Sequence, residues 1–283
     1  MADPARKIRF YHPGKAFPSF SVTGAACELG CDYCRGHYLE GMTPVSDGQD
    51  LLERAKELSA AGGKGLLLSG GCDRRGRVPL GGFLATVRRI KRETSLLVNL
   101  HTGLLDGLDE ARGLVGSGAD CLSVDVVQDE RVIREVMHLD RGKEDYRRTL
   151  ELLFEAGARR VVPHVCLGIG SEEAEEEAVR LIARFPVGAV VVLALMPARG
   201  TPMGRAAPPS RERVLGAVRL AVGTVKAPTL LGCMRPRGDW TLEAECIEAG
   251  AEGVAMPSRR TVSWAEGRSY EVEMVEGCCA LHR

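Results

Sequence analysis

The stretch LELLFEAGARRVVPHVCLGIG, Leu150 to Gly170, carries one full step of the fold. Its first half closes an amphipathic helix that we place over 143–156. Gly157, in Glu155-Ala156-Gly157-Ala158, supplies the left-handed residue that ends such a helix before a strand. An apolar run over 161–167 follows, and glycines open the next turn. The same punctuation recurs at Ala60-Ala61-Gly62-Gly63 and Glu248-Ala249-Gly250-Ala251. Working outward, short apolar runs predict strands at 20–24, 65–69, 96–100, 121–126, 161–167, 189–195, 229–232 and 253–256. Helical stretches fall over 49–61, 80–92, 106–116, 143–156, 172–185, 211–222 and 239–249. Eight strands in alternation with helices fit an α/β fold, a (βα)8 TIM-type barrel or a partly open relative. An open doubly wound sheet is the alternative. No linker divides the chain, so residues 1–283 read as one domain. Residues 1–19 read as a lead-in and 270–283 as a tail over the barrel mouth.

In such a barrel, chemistry sits at the C-terminal ends of the strands. Composition narrows what that chemistry can be. Lys plus Arg and Asp plus Glu both number 38, which argues against a protein that grips nucleic acid by bulk charge. No apolar run approaches the ~20 residues of a membrane span. The polar start, 1–9, lacks the core of a signal peptide. The expectation is a cytoplasmic protein with no nucleic-acid or membrane partner. Ten cysteines in a reducing compartment then point to metal or redox chemistry.

Three of them stand just after the first predicted strand, in Cys27-Glu28-Leu29-Gly30-Cys31-Asp32-Tyr33-Cys34. Three thiolates in one loop can hold three irons of a [4Fe–4S] cube and leave the fourth iron open. A structural zinc site needs four ligands, and His37 is the available fourth.

This C-x3-C-x2-C loop, with Tyr33 just before its last cysteine, resembles that of the radical S-adenosylmethionine (SAM) superfamily. The resemblance implies a radical SAM barrel in which Cys27, Cys31 and Cys34 hold the cluster that binds and cleaves SAM. It implies further cofactor contacts at Tyr33, at Ser69, Gly70 and Gly71, at Asp125 on a ribose hydroxyl, at Gly168 and Gly170 on the adenine, and at Met196 in Leu195-Met196-Pro197-Ala198-Arg199. Where the family usually follows the glycines with Glu, this chain has Cys72. Each glycine is equally read as a plain βα turn.

Alternation along strands places His164 with Cys166, Cys233 with Arg235, and Asn99 with His101. Cys72, Cys166 and Cys233 are thereby expected to converge on the lumen or rim. His101 and His164 are lumen groups or satisfied core histidines. Cys121 and Cys246 read as buried structural thiols, and Glu172–Glu177 as a solvated helix start. Within the superfamily, the chain is similar to biotin synthase, which holds a second cluster with residues from several strands, an arginine among them. It is also similar to the biotin-synthase-like subunits of the two-component lipoyl synthase, through Phe17–Gly24, His37–Met42, Leu231–Gly238 and Cys278-Cys279-Ala280-Leu281. That likeness implies an auxiliary [4Fe–4S] cluster on Cys72, Cys166, Cys233 and Cys278 or Cys279, and a role for Arg235 on SAM or on a cluster sulfide. It implies sulfur insertion into an octanoyl chain on a carrier-protein lysine. The partners would be an octanoylated lipoyl-carrier protein or peptide, a second radical SAM subunit and a low-potential electron donor such as ferredoxin. The rivals are a one-cluster radical SAM methylase or mutase, and a non-catalytic iron–sulfur or zinc protein.

Overall fold

A computed structural model describes residues 6–282. Residues 1–5 of the expected lead-in and 283 of the tail lie outside the described residues. All eight expected strands are present: β2 (Ser19–Ser21), β4 (Gly65–Ser69), β5 (Leu97–Thr102), β6 (Cys121–Asp125), β7 (Val161–Leu167), β8 (Val190–Ala194), β9 (Thr229–Leu231) and β10 (Gly253–Ala255). Three more join them: β1 (Lys7–Tyr11), β3 (Thr43–Pro44) and β11 (Glu271–Val275). The sheet is parallel throughout, in the order β11-β1-β10-β9-β8-β7-β6-β5-β4-β2-β3. It curls as a TIM-like barrel, and among the described residues no ladder joins β3 to β11.

The helices are α1 (Gly48–Ala60), α2 (Leu84–Glu93), α3 (Leu108–Gly116), α4 (Lys143–Glu155), α5 (Glu172–Ile182), α6 (Arg211–Thr224), α7 (Trp240–Glu248) and α8 (Arg259–Gly267). Their starts follow the capping rule: Asp47, Ser171, Ser210, Asp239 and Ser258 each accept from a first-turn amide. Glycine at positive φ follows α4 at Gly157 and α7 at Gly250.

Strand alternation divides two apolar layers. Val98, Leu100, Leu122, Val124, Val165, Leu167, Val190 and Val192 pack outward against the helices. Cys121, Val162, Val191, Leu193 and Leu230 face the lumen. Register sets the lumen's polar groups in tiers. Asn99 pairs with Cys121 and His101 with Ser123, one strand on Asp125 pairs with His164, and next to it Cys166 pairs with Leu193. His101, Asp125 and Cys166 therefore sit toward the C-terminal ends of their strands.

Both chain ends correct the expectation. The lead-in contains β1, which lies between β10 and β11. The tail does not cover the mouth. After β11 it turns into the lumen, where Cys279, Ala280 and Leu281 pack with Cys121, Val162, Val191 and Leu230. At the far end, Arg160, just before β7, donates to the carbonyls of Ala280 (3.1 Å) and His282. Tyr11 Oη and His282 Nδ1 meet at 2.6 Å. The tail thus plugs the barrel from within, down to the N-terminal ends of the strands.

Candidate active site

The cysteine loop follows β2 and is seated on the turn after β4. A Cβ on Gly71 would lie 2.1 Å from the Ala26 carbonyl oxygen and 2.7 Å from Cys27 Cα, so only glycine admits the loop. The Gly71 amide donates to Thr23 Oγ1 at 2.7 Å, and the Glu28 amide to the Cys72 carbonyl at 2.9 Å. From the other side, the Asp32 amide bonds the Val136 carbonyl and the Met203 amide bonds the Asp32 carbonyl, each at 2.9 Å. Cys31 is buried, while Cys27 and Cys34 are half-buried. A hydrogen bond with the Cys31 thiol, aided by the Gly36 amide, draws the Cys34 thiol down to about 7. The same contact, with burial, pushes Cys31 up. The two thiols thus titrate as a pair, the first proton leaving more readily than the second.

Three thiols on one loop, supported by backbone amides, fit an iron–sulfur cube with three protein ligands. They do not form a one-ion site. Among the described residues, the motif thiols and His37 make no group tight enough for a single metal, and His37 turns instead to Glu40 at 3.1 Å. This weighs against the zinc reading.

Beside the loop lies a cleft of about 500 Å³, open to solvent and lined by Leu29, Ser69, Gly70, Cys72, His101 and Asp125. Two expected cofactor groups are committed inside the fold: Ser69 Oγ donates to the His101 carbonyl at 3.0 Å, and the Gly71 amide is held by Thr23. Asp125 is half-exposed and set against His101 Nε2 at 3.4 Å. Burial opposes its charge, but the neighbouring His101 outweighs that and keeps the carboxyl below its ordinary range. A second, shallow depression is lined by Asp129, Cys166, Ile169, Gly170 and Glu175. The Gly168 amide is spent on Glu175 at 2.6 Å. Glu175, expected in a solvated run, is instead buried against Arg213, and burial raises it. Tyr38 Oη reaches across the mouth to the Met196 carbonyl at 2.9 Å.

The additional thiols do not converge as expected. Cys72 packs with Cys27, Tyr33 and Cys34, and burial pushes its thiol up to about 12. Cys166 lies higher on the lumen wall, within electrostatic reach of Tyr33, Tyr38 and Asp125. Cys233 stands apart from both, within electrostatic reach of the Cys278 thiol. Cys233 is solvent-exposed yet desolvated by surrounding walls, as a group in a concave mouth is. Cys278 is drawn down to about 7, chiefly by a hydrogen bond with the Cys279 thiol, and Asn99 Nδ2 contacts its Sγ at 3.6 Å. Cys279 faces Cys121, deeper in the lumen. Cys246 is buried in the outer core.

Arg235 also departs from expectation. Strand β9 ends at Leu231, so the two-residue alternation that set Arg235 beside Cys233 no longer applies. The guanidinium points away from the lumen, 2% exposed, and donates to the carbonyls of Gly232 and Ala255 at 2.6 Å each and to the Glu243 carboxylate on α7. Glu243 also accepts from the Ser258 amide at 2.9 Å and from Thr261 Oγ1. Arg235 is a structural ion pair with no donor aimed at the cleft. Sequence reasoning assigned no role to Thr23, Tyr38 or Asn99, whose roles arise from contacts between distant strands and loops.

The radical SAM superfamily model matches residues 21–182, which include the cysteine loop, the cleft and the strands through α5. No curated protein matches the sequence. The fold is similar to the [FeFe]-hydrogenase maturase HydG from Carboxydothermus hydrogenoformans, with a TM-score of 0.67 and 17% identity over 94% of this chain and 68% of that one. It is similar to methylornithine synthase (PylB), with a TM-score of 0.64 and 17% identity over 95% and 84%. It is similar to Streptococcus suis SuiB bound to S-adenosylmethionine, with a TM-score of 0.53 and 11% identity over 96% and 50%. Likeness at these identities concerns the fold. No helix among the described residues is long and apolar enough to cross a membrane.

Proposed function

The chain belongs to the radical SAM superfamily, and from that premise we propose that it is a sulfur-inserting member acting on an octanoyl chain carried by a protein lysine. With the [4Fe–4S] cluster and SAM bound, the cofactors supply a 5′-deoxyadenosyl radical able to take hydrogen from an unactivated methylene. The residues of this chain do the rest. Cys27, Cys31 and Cys34 would hold the cluster, and Gly71 seats their loop. Cys72 and Leu29 wall the adjoining cleft, and Tyr38 ties the segment after the cysteine loop to the loop after β8 through the Met196 carbonyl.

One observation carries the sulfur assignment. Cys278 enters the lumen from the tail within electrostatic reach of the exposed Cys233, and packs in the lumen cluster with Cys279 and Cys121. These thiols are distinct from those of the SAM loop. Cys233 and Cys278 are our ligands for the auxiliary [4Fe–4S] cluster, with Cys166 and Cys279 as the nearest further thiols. An octanoylated carrier, a second radical SAM subunit and a low-potential donor such as ferredoxin complete the proposed system.

The test is iron and sulfide content after anaerobic reconstitution. Two cubes give about eight irons per chain, and the Cys233→Ala/Cys278→Ala protein should fall to about four. About four irons in both proteins would overturn the second cluster and leave a one-cluster radical SAM enzyme.

A further inference from the structure

His101 on β5, Asp125 on β6 and His164 on β7 form a group that neither the SAM loop nor the lumen thiols use. Each offers one ligand atom, and these atoms all lie within 4.8 Å of one another. Among the described residues no other such group exists. We propose that this trio is a mononuclear site for a divalent first-row cation, such as zinc or ferrous iron, held by two imidazoles and one carboxylate.

Four observations point there. All three residues stand on adjacent strands of the rigid sheet, fixed by its register and not by a loop. His101 Nε2 is buried without a good hydrogen-bond partner, since its approach to Asp125 at 3.4 Å is long for such a bond. A shared ion with bonds of about 2.0–2.2 Å would draw these atoms slightly together and satisfy both. His164 Nδ1 lies 3.1 Å from the Val162 carbonyl, which fixes the proton on Nδ1 and leaves Nε2 free as a ligand. The two imidazole rings lie 5.2 Å apart, centroid to centroid, with 36° between their planes, so one cation can address both.

The donor set selects the ion. Imidazole and carboxylate suit zinc, iron and their neighbours, while a cubane's usual ligands are thiolates. Two histidines and one carboxylate leave open coordination positions. Asp125 is half-exposed toward the mouth, so those positions face the cleft, where an oxygen of a bound substrate can enter. This assigns the Asp125 carboxylate to a metal in place of the ribose contact implied by resemblance. The inference uses no cysteine and stands whether or not sulfur is inserted.

The test uses reconstituted protein, cleared of loose metal with a weak chelator, equilibrated with a small excess of zinc and desalted. Elemental analysis should find about one zinc per chain in the wild type, bound through nitrogen and oxygen at about 2.0–2.1 Å by X-ray absorption at the zinc edge. His101→Asn and His164→Asn should each lose it while keeping their iron, and Cys166→Ser/Cys278→Ser should retain it. Asp125→Asn, a near-isosteric change, serves if a histidine variant fails to fold, and it should weaken zinc retention at least tenfold. Absence of zinc in the wild type, zinc persisting in the histidine variants, or sulfur in its coordination shell would each overturn the site.

Discussion

Replacing Arg235 with methionine separates a structural arginine from a cofactor-binding one. The guanidinium and Glu243 are each 2% exposed, and Arg235 donates to three backbone carbonyls as well as to the carboxylate. Methionine matches much of the volume and removes every donor. Glu243 would keep the Ser258 amide and the Thr261 hydroxyl but would lose its counter-charge in a dry site. Breaking one side of a buried pair costs about 3–5 kcal/mol. For a domain of this size that is a drop in Tm on the order of 10 °C. Arg235→Met/Glu243→Gln should regain part of the loss, because no uncompensated charge remains. The assay is urea and thermal denaturation of the reconstituted protein, beside equilibrium SAM binding at a temperature where the variant is folded. The structure calls for lost stability with SAM affinity unchanged. An Arg235→Met protein of wild-type stability that no longer binds SAM would refute the reasoning and restore the cofactor role.

Gly71→Ala should disrupt the cysteine loop, since the added methyl overlaps the Ala26 carbonyl, and iron content after reconstitution should fall well below that of the wild type. Arg160→Ala should free the tail at a cost of about 1.5–3 kcal/mol per lost charged hydrogen bond, read as faster hydrogen exchange over residues 278–282 and a lower urea midpoint. Burial holds His282 down to about 4, from an ordinary 6.5. Between those values the unfolded chain binds the extra proton, so stability rises with pH and is lost as pH falls from 6.5 toward 4. His282→Gln should flatten that part of the stability–pH curve, and an unchanged slope would contradict the assignment.

Locally encoded features were legible in the sequence. The apolar run Val161–Leu167 and the glycine after α4 specify a strand and a helix end without reference to the rest of the chain. The cysteine loop is equally local. What was missed depends on pairing across the chain. Lys7–Tyr11 alternates charge with apolar residues and becomes a buried strand only because Gly253–Ala255 and Glu271–Val275 flank it. Arg259–Gly267 is polar and short, with Thr261 and Ala265 as its buried contacts. Side-chain alternation served while the strand lasted, as at His101 and His164. It failed beyond Leu231, where Arg235 turns out of the lumen. The tail's course was not encoded in its four terminal apolar and thiol residues, because its path is set by Arg160 and Tyr11, far away in sequence.

The most direct measurement is mass spectrometry of an octanoylated carrier peptide after anaerobic incubation with the reconstituted protein, SAM and a strong reductant. The account predicts 5′-deoxyadenosine together with peptide that has gained one sulfur on its acyl chain, and loss of the sulfur product but not of 5′-deoxyadenosine in Cys233→Ala/Cys278→Ala. Formation of 5′-deoxyadenosine with an acyl chain that never gains sulfur would contradict it.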